Sequence, residues 1–186
     1  MILYLSVIGV AMLLIAAVNI ALSTALWYNA VAAVVFCTAL QFAFDGILAI
    51  IINKLPDRLF GIDSPHFAVS KAERRLYNKL GVRRWKDKVW ELGSLGGFSK
   101  KTLASPESAE YIERFIIECN KGVVTHRLSY PIGFLAMLFV PSPLTLTVAL
   151  PTAAVNLILN VLPTIVLRYN TPKLKALLIK RKRIGR

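Results

Sequence analysis

The sequence predicts an all-α integral membrane protein with about four transmembrane helices and a helical cytoplasmic segment between the second and the third. Of its 186 residues, 56% are hydrophobic, too many for a soluble protein of this size, which must cover its surface with polar groups. The charges are also segregated. Residues 1–53 contain one acid and no base, and residues 128–167 contain no charged residue. Lipid imposes such a partition because an unpaired charge in hydrocarbon is strongly disfavoured.

The first apolar block is long enough for two spans, since each span needs roughly 20 apolar residues. We predict helices over residues 1–24 and 26–53, with Trp27 and Tyr28 near the turn, at the interfacial depth that aromatic side chains favour. Met1 leads directly into the apolar run without the basic stretch that begins a signal peptide, so we expect this helix to be retained.

The second apolar block contains the sequence Pro141-Ser142-Pro143, and paired prolines interrupt a helix because they remove backbone donors. We therefore predict two further spans, over residues 128–141 and 144–167. A break near Pro151 is the alternative.

Every Lys and Arg lies in residues 54–127 or 168–186, and the positive-inside rule places both segments in the cytoplasm. The chain is thus predicted to be a single multi-pass domain of the cell membrane, whose basic tail, residues 168–186, lies on anionic lipid. Cys37 and Cys119 suggest neither a disulfide framework nor a metal site.

The cytoplasmic segment begins with a helical pattern over residues 70–80, followed by cations interleaved with tryptophans such as Trp85. In a membrane-bound chain, we expect this stretch to contact anionic headgroups and not nucleic acid. The glycine-rich residues 91–101 end in Lys100 and Lys101. They lack the spacing of a nucleotide-binding loop, so a flexible loop and a phosphate-binding loop both remain open.

Ser105-Pro106-Glu107 predicts the start of the next helix, because it offers a capping serine, a first-turn proline and an acid at the positive end of the helix dipole. We expect the apolar stripe that follows to lie against the membrane. Its members recur at spacings of three and four: Ile112, Phe115, Ile116, Cys119 and Val123.

Polar residues elsewhere on this helix allow two interpretations. Glu118 and Lys121 share one face, and His126 lies roughly 80° round from Glu118. They are either a solvated ion pair with an interfacial histidine or parts of a site. Asp45 and Asn160, which lie within the second and fourth predicted spans, are expected to meet inside the bundle as polar partners.

Six short motifs occur in a fixed order along the chain. They are Leu55-Pro56-Asp57 with Phe60; Trp85-Lys86-Asp87; Gly96-Gly97-Phe98 with Lys100 and Lys101; Tyr111-Ile112-Glu113-Arg114-Phe115; Glu118 followed by His126; and Asn160 followed by Arg168-Tyr169-Asn170 with Pro172. In this order and with these gaps, residues 55–177 resemble the bacterial glycosyl-4,4'-diaponeurosporenoate acyltransferase family, small membrane enzymes associated with carotenoid synthesis. Where that family tends to have Arg, a second Glu and His-Trp, this chain has Lys121, Val123 and His126-Arg127.

The resemblance implies transfer of a fatty acyl group to a hydroxyl of a lipid or glycolipid, such as a glycosylated carotenoid, at the cytoplasmic face. The donor would be a substrate such as acyl-CoA or an acyl carrier protein, with no cofactor or metal. His126 is expected to act as the base, since the ordinary histidine pKa of about 6.5 suits neutral pH, and Glu118 is expected to orient it. The residues expected to bind substrate are Lys100, Lys101, Lys121, Asn160, Arg168, Tyr169, Asn170, Trp85 and Asp57.

The alternative function is a non-catalytic lipid-binding or assembly protein of the membrane with the same fold. The departures at Lys121 and Val123 favour this alternative, whereas the presence of Glu118 and His126 favours the enzyme.

Overall fold

The computed structural model describes residues 2–22, 24–89 and 103–184, with side chains from residue 5 onward. Its α-helices are α1 (Ile2–Ala21), α2 (Trp27–Lys54), α3 (Lys71–Lys79), α4 (Val82–Trp85), α5 (Ala109–Leu135) and α6 (Leu150–Ile184). Short 3₁₀ turns lie at Asp57–Phe60, Pro65–Phe67, Lys86–Lys88 and Ala136–Leu138, and a π-helical turn, Thr145–Ala149, leads into α6. These described ranges contain no β-strand, and the all-helical prediction is confirmed.

The chain forms two compact units. The first unit comprises residues 1–50 and 125–161, and the second comprises residues 51–124 and 162–186. Helices α2, α5 and α6 each contribute residues to both units, because the three boundaries fall inside them.

Small side chains form the core of the first unit. Ala30, Val34 and Cys37 lie on one face of α2 and are at most 2% exposed. Helices α5 and α6 approach each other closely at Gly133, where an added Cβ would lie 3.1 Å from the Cα of Ala153. Small residues at helix crossings allow this approach, which brings the polar side chains of α6 close to α5.

The outer faces of α1 and α2 are apolar and uncovered. Leu13 is 72% exposed and Ile50 is 57% exposed, and only 17% of the most apolar window of α2 is buried by protein. The core helix of a soluble protein would be mostly buried. Large uncovered apolar surfaces occur where a protein meets another apolar phase, such as lipid.

Two helices, Trp27–Lys54 and Thr145–Ile184, are long and apolar enough to cross a membrane. This is fewer than the four spans that we predicted. Helix α1, Ile2–Ala21, has 20 residues, and Leu5–Ala21, the part described with its side chains, is an apolar helix. In α5, charged residues continue as far as Arg127, and the apolar stretch from there to the end of the helix at Leu135 extends only about 12 Å at 1.5 Å per residue.

The break in the second apolar block lies where the paired prolines predicted it. Helix α5 ends at Leu135, the 3₁₀ turn Ala136–Leu138 follows, and helical structure resumes at Thr145. The alternative break near Pro151 does not occur, because this residue lies inside the continuous helix Thr145–Ile184.

The apolar stripe of α5 forms the core of the second unit. Ile112 and Ile116 are fully buried and pack with Leu178 of α6, while Cys119 and Val123 pack with Leu167. The expectation that this stripe lies against the membrane is therefore wrong. The reason is that α6 continues beyond the apolar block to Ile184 and covers the stripe with its own apolar residues.

The basic tail is the last part of α6 and contacts its own unit. Nζ of Lys182 lies 2.9 Å from Oε2 of Glu113, and Nε of Arg181 donates a 3.0 Å hydrogen bond to the carbonyl of Pro106. Two of the cations in the tail, Arg181 and Lys182, are thus bound to other groups of the protein. The prediction that the tail lies on anionic lipid remains a prediction.

Serine side chains cap the N-termini of two helices, α3 and α5. Ser70 accepts a hydrogen bond from the backbone N–H of Glu73 and caps α3, in agreement with the predicted helix over residues 70–80. Ser105 does not begin α5. Ser108 accepts the N–H of Tyr111, and α5 begins at the next residue, because the first of the two serines lies in a turn before the helix.

Candidate functional site

The first unit contains a chain of hydrogen-bonded polar side chains between α2, α5 and α6. Nδ1 of His126 lies 2.8 Å from Oδ1 of Asn160. Nδ2 of Asn160 donates to Oδ2 of Asp45 at 3.3 Å, so these two residues meet as the sequence suggested. The same nitrogen also donates to the backbone carbonyl of Asn156 at 3.1 Å and to its Oδ1 at 3.2 Å.

This arrangement determines the tautomer of His126. Since Nδ2 of Asn160 faces three oxygen acceptors, the amide must direct its Oδ1 at the imidazole. An amide oxygen only accepts, so Nδ1 of the histidine carries a proton. In the neutral ring, Nε2 is then the nitrogen that can take up a proton, and Asn160 would stabilise the imidazolium so formed.

The cluster also contains two buried polar atoms that are unpaired within the described residues, a carboxylate oxygen and a hydroxyl. Oδ1 of Asp45 and Oγ of Ser129 are buried and have no hydrogen-bond partner among the described residues. The serine hydroxyl is near the carboxyl group without forming a well-aligned bond to it. Buried polar atoms are nearly always paired, and an unpaired one marks a place for a ligand group or a water molecule.

Other amide groups anchor the cluster to the helix backbones. Nε2 of Gln41 donates to the carbonyl of Gly133 at 3.4 Å, and Nδ2 of Asn156 donates to the carbonyl of Ser129 at 3.5 Å. We had not singled out Asn156 or Ser129 from the sequence. The signal was present in the spacing of Thr152, Asn156 and Asn160, one polar residue per turn along α6.

In the second unit, Lys121 is held between two carboxylates. Its Nζ lies 2.6 Å from Oδ1 of Asp57 and 3.4 Å from Oε1 of Glu118, and 5.8 Å from the ring centroid of Phe60. Burial lowers the pKa of this lysine, but the hydrogen bond to Asp57 and the charge of Glu118 outweigh burial and raise the pKa above its ordinary value. The ammonium therefore stays charged, and the cluster joins three residues that we had assigned to the site.

Arg168 is also held by an acid. Its Nε and Nη2 both donate to the carboxylate of Glu73, the second over 2.7 Å, and Nη2 donates to the carbonyl of Ala68 over 3.0 Å. Burial raises the pKa of Glu73, but the bonds from Arg168 and Tyr77 outweigh burial, and the pKa lies below its ordinary value. Burial and the bond to Glu73 together raise the pKa of Tyr77 to about 12.

The remaining substrate-binding candidates are dispersed. Nε1 of Trp85 donates to the carbonyl of Leu80 over 3.0 Å, and the ammonium of Lys173 lies 4.2 Å from the ring centroid of Tyr169. Asn170 is partly exposed on α6. Lys100 and Lys101, with the Gly-Gly-Phe motif before them, lie outside the described residues.

These features define a class of small proteins whose described residues are helical, with uncovered apolar helices and a histidine–amide pair inside one helical unit. The chain belongs to the glycosyl-4,4'-diaponeurosporenoate acyltransferase family, whose pattern matches residues 56–180. This confirms the resemblance seen in the motifs. No curated protein and no solved structure matches the chain.

Proposed function

We propose that the protein is a membrane acyltransferase that moves a fatty acyl group onto a hydroxyl of a lipid or glycolipid, possible acceptors including a glycosylated carotenoid. Membership of a family named for acyl transfer supports the reaction type. The observation that carries the chemistry is the pair of His126 and Asn160, which leaves Nε2 as the basic nitrogen. The uncovered apolar surfaces of α1 and α2 support a location in the membrane.

In the proposed reaction, Nε2 of His126 takes the proton of the acceptor hydroxyl while the hydroxyl oxygen attacks the carbonyl carbon of an acyl thioester. The new C–O bond forms as the C–S bond breaks, and the departing thiolate receives the proton from the imidazolium. A positioned base of this kind accelerates a reaction by typically 10²–10⁴-fold. Asn160 acts by holding the Nδ1–H of the ring and stabilising its positive charge.

The other assignments follow from the charges around the candidate residues. Lys100 and Lys101 are the cations that we propose for the phosphates of an acyl-CoA or acyl carrier donor. Arg168 already forms a bidentate pair with Glu73, so we assign it to the structure of the second unit. Glu118 lies beside Lys121. We propose that Glu118 acts by positioning this lysine, or that its negative charge helps to stabilise the imidazolium of His126.

We further propose that the chain crosses the membrane four times, with residues 54–127 and the C-terminal tail in the cytoplasm. The distribution of Lys and Arg supports this orientation. The apolar end of α5 would then be a short span, which a bilayer accommodates by local thinning.

The test compares lipid extracts from cells that lack the gene with extracts from cells that express the wild type, His126→Gln or His66→Gln. Mass spectrometry should detect acylated lipids with the wild type and with His66→Gln, because His66 is an exposed histidine outside the polar cluster. His126→Gln should reduce the amount of acylated lipid at least about 100-fold, and Glu118→Gln should reduce it less. Acylation that is unchanged in His126→Gln would refute the proposal that His126 is the base. Identical lipids with and without the wild-type gene would favour the non-catalytic lipid-binding alternative.

A further inference from the structure

We infer that the outer face of α3 binds the headgroups of anionic phospholipids at the membrane surface. This face consists of an apolar row and a basic row along the helix: Ala72, Leu76 and Leu80, and beside them Lys71, Arg75 and Lys79. The inference uses the proposed location of the protein in the membrane and is independent of acyl transfer.

The rows follow from the geometry of the helix, because residues four apart lie above one another. The inner row, Glu73 and Tyr77, is directed at α6, where Glu73 pairs with Arg168. At 100° per residue, the apolar row lies next to the inner row and the basic row lies beyond it. Leu76 is 52% exposed and Leu80 is 49% exposed, so the second unit does not cover the apolar row.

The order of the rows suits an interface between lipid and water. Leucine side chains can enter the boundary between headgroups and acyl chains, while neighbouring lysines and arginines extend to the phosphates. Lys71, Arg75 and Lys79 are all exposed, and none of the ion pairs within the described part of the chain involves them. Their charges are therefore available to anionic headgroups.

The ion pair with Arg168 places α3 at the right level. Arg168 is the first charged residue after the uncharged residues 128–167, so it marks the end of the apolar part of α6. In a helix that crosses the membrane, this position lies at the interface. Arg168 is bound to Glu73 of α3 and to the carbonyl of Ala68 just before it, so α3 is held at the same level.

The residues after α3 continue the same chemistry. Arg83 and Arg84 are exposed on α4, and Nε1 of Trp85 donates to the carbonyl of Leu80, which holds the indole at the C-terminal end of α3. Tryptophan is enriched at interfacial depth. An acidic soluble protein could also match the cations, but the position beside the end of the apolar block favours lipid.

The experiment uses the full-length protein in nanodiscs of phosphatidylcholine alone or of equal parts phosphatidylcholine and phosphatidylglycerol. A spin label on Leu76→Cys reports collisions with oxygen, which dissolves in lipid, and with a water-soluble nickel chelate. Cys37 and Cys119 are buried, so the introduced cysteine is the one labelled. We expect phosphatidylglycerol to suppress the nickel collisions and raise the oxygen collisions, since each cation near an anionic surface increases occupancy about fivefold.

Matched variants make the result specific. A label on Asn78→Cys, on the opposite side of α3, should stay accessible to nickel in both bilayers. Arg75→Gln combined with Lys79→Gln should abolish the response of the Leu76 label to phosphatidylglycerol. Lys180→Gln combined with Arg183→Gln removes the same charge from exposed positions of α6 and should leave the response intact.

Equal nickel collisions at Leu76 and Asn78 in the anionic bilayer would overturn the inference, and so would equal behaviour of the Leu76 label in the two bilayers. Shielding of this label only after addition of an acidic acyl carrier protein would show that the face binds a protein instead. A label on Val35→Cys, at an uncovered position of α2, should collide with oxygen in both bilayers. Nickel collisions there would contradict the membrane location itself, whereas failure at Leu76 alone would contradict the headgroup site.

Discussion

Arg168 and Glu73 are 95 positions apart in the sequence and form a two-pronged ion pair, in which Nη2 of the arginine lies 2.7 Å from Oε2 of the glutamate. The side chain of Arg168 is 7% exposed and that of Glu73 is 20% exposed. A planar guanidinium matches a carboxylate in this geometry, and a lysine would not. The pair therefore fixes α3 against α6 within the second unit.

Removing one partner of this pair should destabilise the protein. We expect Arg168→Ala to lower the free energy of unfolding by about 3 kcal/mol, the lower end for buried pairs, because Glu73 is partly exposed. The double variant Arg168→Met with Glu73→Met should be less destabilised, since no charge is left unpaired. Arg183→Ala, at an exposed cation on the same helix, is the control. Thermal unfolding in detergent measures all three, and a change of less than 0.5 kcal/mol (roughly the surface average) for Arg168→Ala would refute a structural role.

The same cluster predicts two limits of pH stability. The pKa of Glu73 is lowered in the folded state, so its contribution is present above the ordinary value of 4.5 and is lost as the pH falls through the folded value. The pKa of Tyr77 is raised from 10.0 to about 12, so its contribution is present below pH 10.0 and is lost as the pH rises to about 12.

The alkaline limit can be measured by comparing the wild type with Tyr77→Phe. We expect the difference in their melting temperatures to be constant at neutral pH and to shrink between pH 10.0 and about 12. A difference that does not depend on pH across this window would show that the phenol hydroxyl adds nothing to the cluster.

Gly133 provides a test of helix packing near the polar cluster. In Gly133→Ala the new Cβ would lie 3.1 Å from Cα and 3.2 Å from the carbonyl oxygen of Ala153, and backbone atoms cannot move aside cheaply. Overpacking of this kind costs about 1–3 kcal/mol, which exceeds the gain of about 1 kcal/mol from replacing a helical glycine by alanine. Gly46→Ala, where nothing lies within 4 Å, should be neutral or stabilising. If both variants melt alike, the close approach of α5 and α6 is wrong.

The proposed orientation can be tested with introduced cysteines. Cys37 and Cys119 are at most 1% exposed and should not react with an impermeant maleimide, so the wild type gives a low background. Asn29→Cys, in the first turn of α2, should be labelled in intact cells, and Lys79→Cys should be labelled only after the membrane is opened. Labelling of the Lys79 position from outside would reverse the topology.

The sequence predicted the features that depend on local chemistry. The helix over residues 70–80, the amphipathic stripe from Ile112 to Val123 and the break at the paired prolines all follow from neighbouring residues. The meeting of Asp45 and Asn160 could also be expected, because isolated polar residues in apolar helices pair with each other.

What the sequence could not supply was the register between distant helices. The resemblance implied that Glu118 orients His126, whereas in the structure Asn160 of α6 lies 2.8 Å from Nδ1 of this histidine. Whether Arg168 meets a substrate or Glu73 likewise depends on how the second unit packs. The start of α5 was misplaced because two serines three residues apart both offer a cap.

The bond between Asp45 and Asn160 also has a consequence for the biogenesis of the protein. The two residues are separated by 115 positions, so at about 5–20 residues per second the ribosome needs roughly 6–23 s to produce the asparagine after the aspartate. If α2 crosses the membrane as proposed, it enters the bilayer before Asp45 has its asparagine partner. Its insertion must depend on the apolar residues around Asp45, and the nascent chain is most vulnerable to quality-control proteases before α6 arrives.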